Sequence, residues 1–382
     1  METEKLFYEN SYLRTFSANV LECSKQDGHY AVVLNRTAFF PEGGGQPADI
    51  GVLNTVNVLD VQEHEGKIVH TTDRPLPVGA SVTGGINWPH RFDLMQQHSG
   101  EHIVSGIVHR LFGLDNVGFH MGAKAVTVDF NGELSEDGAA LVEYLSNTAV
   151  YRNLPISAEY PSPEKLDSLE YRCKKELSGK IRIVTVPEYD VCACCGTHVA
   201  RTGEVGAIKL LSSQRYKGGT RITLMIGGRA LADYNEKAQS VNAVSVLLSA
   251  KPEEILPATQ RLLAENNALK QQINSLQEQI FEAKASALDK GAKNVCLFEN
   301  DLGPNELRKF CLLLSGKCSG VAAVFSGGGQ AGYKYALASA NEDVRPIGKE
   351  LNQKFSGRGG GSRELVQGSL TAVQEELEQF FD

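Results

Sequence analysis

Two histidines, His98 and His102, stand four residues apart in QQHSGEHIVSG. On a helix that spacing sets both imidazoles on one face, a turn apart, so two ring nitrogens reach one metal ion. The string H-S-G-E-H is not the H-E-x-x-H of zinc proteases, and Glu101 faces away from its neighbours on an ideal helix. A second segment, VCACCGTHV, offers Cys194 and His198 at C-x3-H spacing in a glycine-containing turn after a strand. One soft thiolate and three imidazoles make a closed ligand set suited to a single zinc ion per chain. Cys192 and Cys195 are rival thiols on spacing alone. The set admits two readings: zinc at a reactive site, or zinc that only holds the fold. A third signal is PEGGGQP, in which Gly43, Gly44 and Gly45 let backbone approach a ligand and present N–H groups, or simply make a tight hairpin.

These residues need elements to hold them. Residues 1–88 read as short β-rich runs (HYAVVLN, VLDVQEHEGKIVHT, ASVTGGIN) bounded by Gly, Pro and Asp, which predicts a small antiparallel β-barrel carrying the glycine loop. Residues 89–228 predict a two-layer α/β domain. It opens with a helix through His98 and His102, whose apolar positions Leu94, Ile103, Ile107 and Leu111 lie near helical spacing. Residues 229–290 read as almost wholly helical. Leu262, Leu269 and Leu276 recur every seven residues, with Ile273, Ile280 and Asn266 in matching positions, so the segment is either an intrachain hairpin or a dimerising coiled coil. Residues 291–382 return to α/β signals and end in SLTAVQEELEQFF, read as a helix. The fold class is therefore α+β and multidomain.

Bulk properties narrow the class. A chain of 382 residues with 42% hydrophobic and 22% charged residues has material for several cores and no signature of disorder. The first residues lack the apolar run of a secretory signal, and no stretch approaches the roughly 18 apolar residues of a membrane span, so a soluble cytoplasmic protein is expected. Three cysteines within four residues suit metal in a reducing compartment better than disulfides. A net charge of −8 argues against a chain coated in nucleic acid, DNA included, but permits a local basic face.

Three segments together carry a resemblance. TAFFPEGGGQPADIG, QQHSGEHIVSGIVHRLFG with GFHMG, and CCGTHV with TGEVG resemble the alanyl-tRNA editing proteins called AlaX and the editing half of alanyl-tRNA synthetase. More distantly, the two ligand pairs resemble the editing domain of threonyl-tRNA synthetase. The family reads C-G-G-T-H where this chain reads C-C-G-T-H, so Cys195 stands in place of a glycine. SGRGGGSRELVQGSL resembles the glycine-rich signature of the DHH-associated domain that ends alanyl-tRNA synthetase; no D-H-H string occurs, so binding rather than phosphoester cleavage is implied there. The whole chain resembles the long form of AlaX.

That resemblance implies a trans-editing hydrolase, one that cleaves the ester joining serine, or glycine, to alanine tRNA without ATP. The need for such a site is physical, because a pocket that accepts alanine cannot strongly exclude glycine or serine. It implies that His98, His102, Cys194 and His198 hold zinc, that Thr37 recognises the serine hydroxyl, and that Gln46 and Gly43–Gly45 line the pocket. It places His120 where the synthetases carry glutamine, in the pocket, to bind the terminal adenosine or relay a proton. Basic residues outnumber acids between Lys317 and Arg363, and the resemblance implies that Arg358, Gly359, Gly360, Gly361 and Arg363 contact tRNA phosphates. The alternative is a non-catalytic, synthetase-associated RNA-binding protein with a structural zinc.

Overall fold

The computed structural model describes residues 2–173, 180–288, 292–328 and 332–381. They form two compact units, Met1–Ala243 and Val244–Asp382. The expected boundary between residues 290 and 291 lies outside the described residues.

In the first unit six strands close on one another in the order β1-β2-β5-β4-β3-β6. They are β1 (Thr15–Gln26), β2 (His29–Leu34), β3 (Gly51–Leu53), β4 (Val56–His64), β5 (Lys67–Thr72) and β6 (Ser81–Ile86). Period-2 alternation builds the interior: along β1, Phe16, Ala18 and Val20 are buried and the residues between them are exposed. Val32, Leu34, Leu53, Val58, Val61 and Ile68 complete the core.

The glycine-rich loop leaves this barrel and returns to it. Gly43 and Gln46 exchange both backbone N–H···O=C bonds, each at 3.0 Å. Gly44 and Gly45 sit between them at φ 60° and 84°, backbone that favours glycine. The loop is thus a tight two-residue turn, and the Gly43 N–H is spent inside it.

Helix α1 (Trp88–Phe112) follows. The Asn87 side chain caps it, accepting from His90 N, Pro89 pre-sets its first turn, and Gly113 closes it in the left-handed conformation. From Gln97 to Val108 every residue is buried, so this stretch is enclosed on all sides and not amphipathic. It packs near a four-stranded sheet of order β12-β13-β8-β7: β7 (Asn116–Met121), β8 (Val126–Phe130), β12 (Ile208–Tyr216) and β13 (Gly219–Ile226). Helix α2 (Glu136–Arg152) shares that core. A smaller sheet orders β9 (Ser157–Glu159), β10 (Ile183–Val186) and β11 (Asp190–Ala193). The buried Arg91 guanidinium pairs with buried Asp49 and also donates to the Ser11 and Ala38 carbonyls. That pins α1 to the segment after the glycine turn. Helix α3 (Gly228–Leu248) leaves the sheet.

The second unit holds α4 (Ile255–Ser286) and a mixed sheet of order β14-β15-β16-β18-β17. Its strands are β14 (Val295–Glu299), β15 (Ala322–Gly327), β16 (Tyr333–Ala338), β17 (Arg358–Gly361) and β18 (Leu365–Leu370). Alternate residues of β15 feed two cores: Ala323 and Phe325 join that of α6 (Val344–Lys354) and α7 (Gln374–Phe381), while Ala322 and Val324 join that of α5 (Pro304–Ser315) and the end of α4. The glycine signature forms an exposed edge strand, β17, paired along β18. One sequence expectation changes here. The terminal helix begins at Gln374, not near Ser369, because Leu365–Leu370 is held in the sheet between β16 and β17.

Helix α4 exists as expected, but Leu262, Leu269, Ile273, Leu276 and Ile280 are each more than half exposed. Among the described residues no helix is long and apolar enough to cross a membrane.

Candidate metal centre

His98 and His102 project from one face of the buried stretch of α1, with ring centroids 5.3 Å apart. The chain reaches them a second time at the end of β11, where residues 194–198 turn back. His198 lies 4.7 Å from each of the other two rings, centroid to centroid. Cys194 Sγ is 3.4 Å from Nε2 of both His98 and His198. The ligand atoms of the four side chains all lie within 4.8 Å of one another. The turn is built for this approach. A side chain at Gly196 would overlap the His98 ring, and Arg182 clamps the turn by donating to the Cys194 and Gly196 carbonyls at 3.1 and 2.9 Å.

Each imidazole is held at its other nitrogen. His98 Nδ1 is 2.8 Å from Gln46 Oε1, an oxygen that also accepts from Thr197 N, so the ring must donate from Nδ1 and keep the Nε2 lone pair. His102 Nδ1 is 2.8 Å from Asp190 Oδ2, and His198 Nδ1 is 3.1 Å from Ser99 Oγ. Three Nε2 atoms and one sulfur therefore face a common point.

The electrostatics agree with ligation. Burial alone would raise the Cys194 thiol, but the three imidazoles around it bring it well below the ordinary thiol value. His102 would be lowered by burial, and instead the Cys194 thiolate and Asp190 carboxylate lift it to about 9. Burial drives His198 down to about 3. A metal ion bound here would take the place of the protons that this cluster otherwise shares. The rival thiols behave differently. Burial holds Cys192 protonated, with its pKa pushed up. Cys195 is exposed and also raised, chiefly by burial of its sulfur. Cys192 does lie near His102 and Asp190, but both Asp190 oxygens are already engaged by His102 and Arg172. One soft and three borderline donors fit a tetrahedral metal such as zinc.

The other predicted residues are distributed unevenly. Gln46 is fully buried and touches His98 and Thr197; its turn, Gly43–Gly45, comes with it. Thr37 is fully buried in the barrel, where its hydroxyl lies 2.9 Å from His70 Nε2 and accepts from Phe39 N, so its bonds are not to the metal set. His120 is exposed on β7. Phe119, not His120, lies beside His98, its ring tilted and 5.3 Å away, centroid to centroid. Phe119 pairs with buried Val128 and His120 with Thr127, so strand alternation turns His120 to the opposite face. Glu101 is buried and accepts from Ser105 and Asn116.

Sequence reasoning missed Ser99, Asp190, Arg182 and Thr197. Asp190 left a readable signal, since alternation along β11 puts it on one face with Cys192 and Cys194. A cavity of about 650 Å³ is lined by Arg172, Asp190, Asn116 and Glu170 and by none of the four ligands; it adjoins the support of the centre.

Residues 2–90 match the family described as tRNA synthetases class II (A), and residues 181–223 match the threonyl and alanyl tRNA synthetase second additional domain. Two stretches of the chain are thus similar to class II tRNA synthetases. Its relatives narrow this. The chain is 31% identical over 393 residues to the alanyl-tRNA editing protein AlaX-L of Pyrococcus horikoshii, covering 98% of this chain and 96% of that one. It is 26% identical to the alanyl-tRNA editing protein Aarsd1 of Mus musculus, covering 98% and 95%. It is 33% identical to the alanine–tRNA ligase of Pyrobaculum neutrophilum, of which it spans only 44%. The chain belongs to the AlaX-L family of alanyl-tRNA editing proteins.

Proposed function

We propose that this protein is a zinc-dependent deacylase that hydrolyses the ester of alanine tRNA carrying serine, or glycine, in trans. The observation that carries the reading is the closed set of His98, His102, Cys194 and His198 in a chain of the editing family. Bound zinc supplies a Lewis acid that orients or polarises an amino-acid group. The chain's own residues do the rest. Gln46 and Asp190 keep their imidazoles in the ligating tautomer. The enclosed α1 excludes water from behind the ligands.

Thr37 supplies a reason for serine preference. His70 Nδ1 donates to Val32 O at 3.1 Å, so His70 Nε2 accepts the Thr37 hydroxyl proton. With its proton committed and one lone pair taken by Phe39 N, Thr37 offers only an acceptor. A substrate hydroxyl donates to it, and alanine leaves it unmet. The exposed edge strand Arg358–Gly361, with Arg363 beyond it, receives tRNA phosphates on this reading. A second copy of the chain covers the open heptad face of α4.

The test is deacylation of seryl-, glycyl- and alanyl-tRNA(Ala) by purified protein, with metal analysis on the same sample. Release of serine and sparing of alanine is expected, together with one zinc per chain. Full activity in a Cys194→Ala, His198→Ala double variant sinks the zinc role. No deacylation at any enzyme level favours an RNA-binding protein with a structural zinc.

A further inference from the structure

The support of His102 differs in kind from that of the other two histidines. Gln46 offers His98 a neutral carbonyl oxygen and Ser99 offers His198 a hydroxyl. Only His102 faces a carboxylate. Asp190 Oδ2 accepts from His102 Nδ1 at 2.8 Å, and both side chains are almost completely buried. The carboxylate is clamped from its far side: Arg172 Nε donates to Oδ1 at 2.7 Å and Nη2 to Oδ2 at 2.9 Å. The arginine is itself only 10% exposed. Its backbone is tied to the same strand, with Arg172 N donating to Val191 O and Ala193 N to Arg172 O. A buried carboxylate left alone costs several kcal/mol, so this clamp is what allows Asp190 to stay ionised beside the centre.

We infer that Asp190, held by Arg172, is the positioning residue that fixes His102 for metal and sets how tightly the centre holds its ion. The inference rests on the reading that the cluster binds a metal. Asp190 stands outside the four-ligand set, behind His102, with its oxygens turned to His102 and Arg172. What it does is orient the ring, keep the proton on Nδ1, and make Nε2 a stronger donor. It also balances charge. A divalent ion with one thiolate leaves the centre at a net positive charge, and a carboxylate one imidazole away offsets it. Arg172, at the other end of the chain of contacts, holds that carboxylate ionised. Ser99 does only the orienting part for His198, so the two supports are predicted to be unequal.

The experiment uses the full chain and zinc alone as the probe. Wild type, Asp190→Asn, Ser99→Ala and the double variant Asp190→Asn, Arg172→Gln are stripped of metal. Circular dichroism and a thermal melt of each stripped sample show that it is folded. Zinc affinity is then read by competition with a chromogenic chelator, and cobalt(II) loading reports ligand geometry through its visible bands. Asp190→Asn keeps an acceptor for His102 but loses the charge, and the expected loss of zinc affinity is about 10–100-fold. The double variant restores the wild-type net charge without the carboxylate and stays weak. Ser99→Ala loses less than Asp190→Asn, and only the two variants without the Asp190 carboxylate displace the cobalt bands strongly. Wild-type affinity in Asp190→Asn, recovery in the double variant, or a larger loss in Ser99→Ala overturns the inference. A wild-type protein that takes up no zinc overturns the metal reading itself, which separates the two failures. Should Asp190→Asn not fold, Arg172→Gln alone decides: unchanged zinc affinity there refutes the clamp.

Discussion

Gln46 Oε1 sits 2.8 Å from His98 Nδ1, so a residue of the barrel's glycine turn holds a ligand on the helix that follows the barrel. The same side chain reaches the second ligand segment, accepting from Thr197 N and donating to Thr197 Oγ1. Three stretches that are far apart in sequence are joined through one buried amide.

Gln46→Ala tests that joint. It leaves the His98 Nδ1–H and the Thr197 N–H buried without their acceptor, at about 1–3 kcal/mol for each group. The expected result is a lower melting temperature and a loss of metal affinity of about 10–100-fold. Metal content after dialysis and a thermal melt check it; unchanged metal retention would count against Gln46 as a support.

Thr37→Val tests the acceptor argument. The shape is kept and the hydroxyl lost. The rate on seryl-tRNA(Ala) is expected to fall while that on alanyl-tRNA(Ala) is unchanged, so the ratio of the two shrinks. A good hydroxyl contact is worth about 1 kcal/mol or more, which sets the scale of the change at roughly fivefold or greater. Equal falls on both substrates would instead show general damage to the barrel.

The meeting of His98, His102, Cys194 and His198 was legible because each pair is local. Four-residue spacing on a helix and C-x3-H in a turn each fix two donors. Barrel strands were legible from alternation, as in Phe16, Ala18 and Val20. What holds the donors was legible only in part: Gln46 was expected at the pocket and Asp190 shares a strand face with Cys192, but which histidine Gln46, Ser99 and Asp190 meet, across 52, 99 and 88 residues, was not. Strand parity hid the difference between Phe119 and His120, because a motif names neighbours without saying which face each takes. The RGGG run carries no side-chain pattern, so its place as the edge strand beside Leu365–Leu370 depends wholly on its backbone partner.

Gly196→Ala makes a sharper test of the turn. The added methyl would overlap the His98 ring, and neither neighbour can yield: the ring is held by Gln46 and the turn by Arg182. The expected result is a centre that no longer takes up a full equivalent of metal while the far-ultraviolet circular dichroism is unchanged. Full metal occupancy in this variant would show that the turn has more slack than its contacts indicate.

His70 gives the barrel a dependence on pH that is separate from the metal. It is fully buried, and burial lowers its pKa from 6.5 to about 4, against a smaller opposing effect of its bond to Val32 O. In the unfolded chain it returns to the ordinary value. Between those two values the unfolded state binds the proton and the folded state does not. Stability is therefore full above pH 6.5 and falls as the pH drops toward 4, by about 3 kcal/mol from this group. Protonation would also put a donor on Nε2 facing the Thr37 hydroxyl, which now gives its proton there. His70→Gln keeps an acceptor and removes the titration. Urea unfolding of metal-stripped protein at pH 7.5, 6 and 5 is expected to show wild type losing stability on acidification more steeply than the variant. Parallel curves for the two proteins would mean that His70 is not the group responsible.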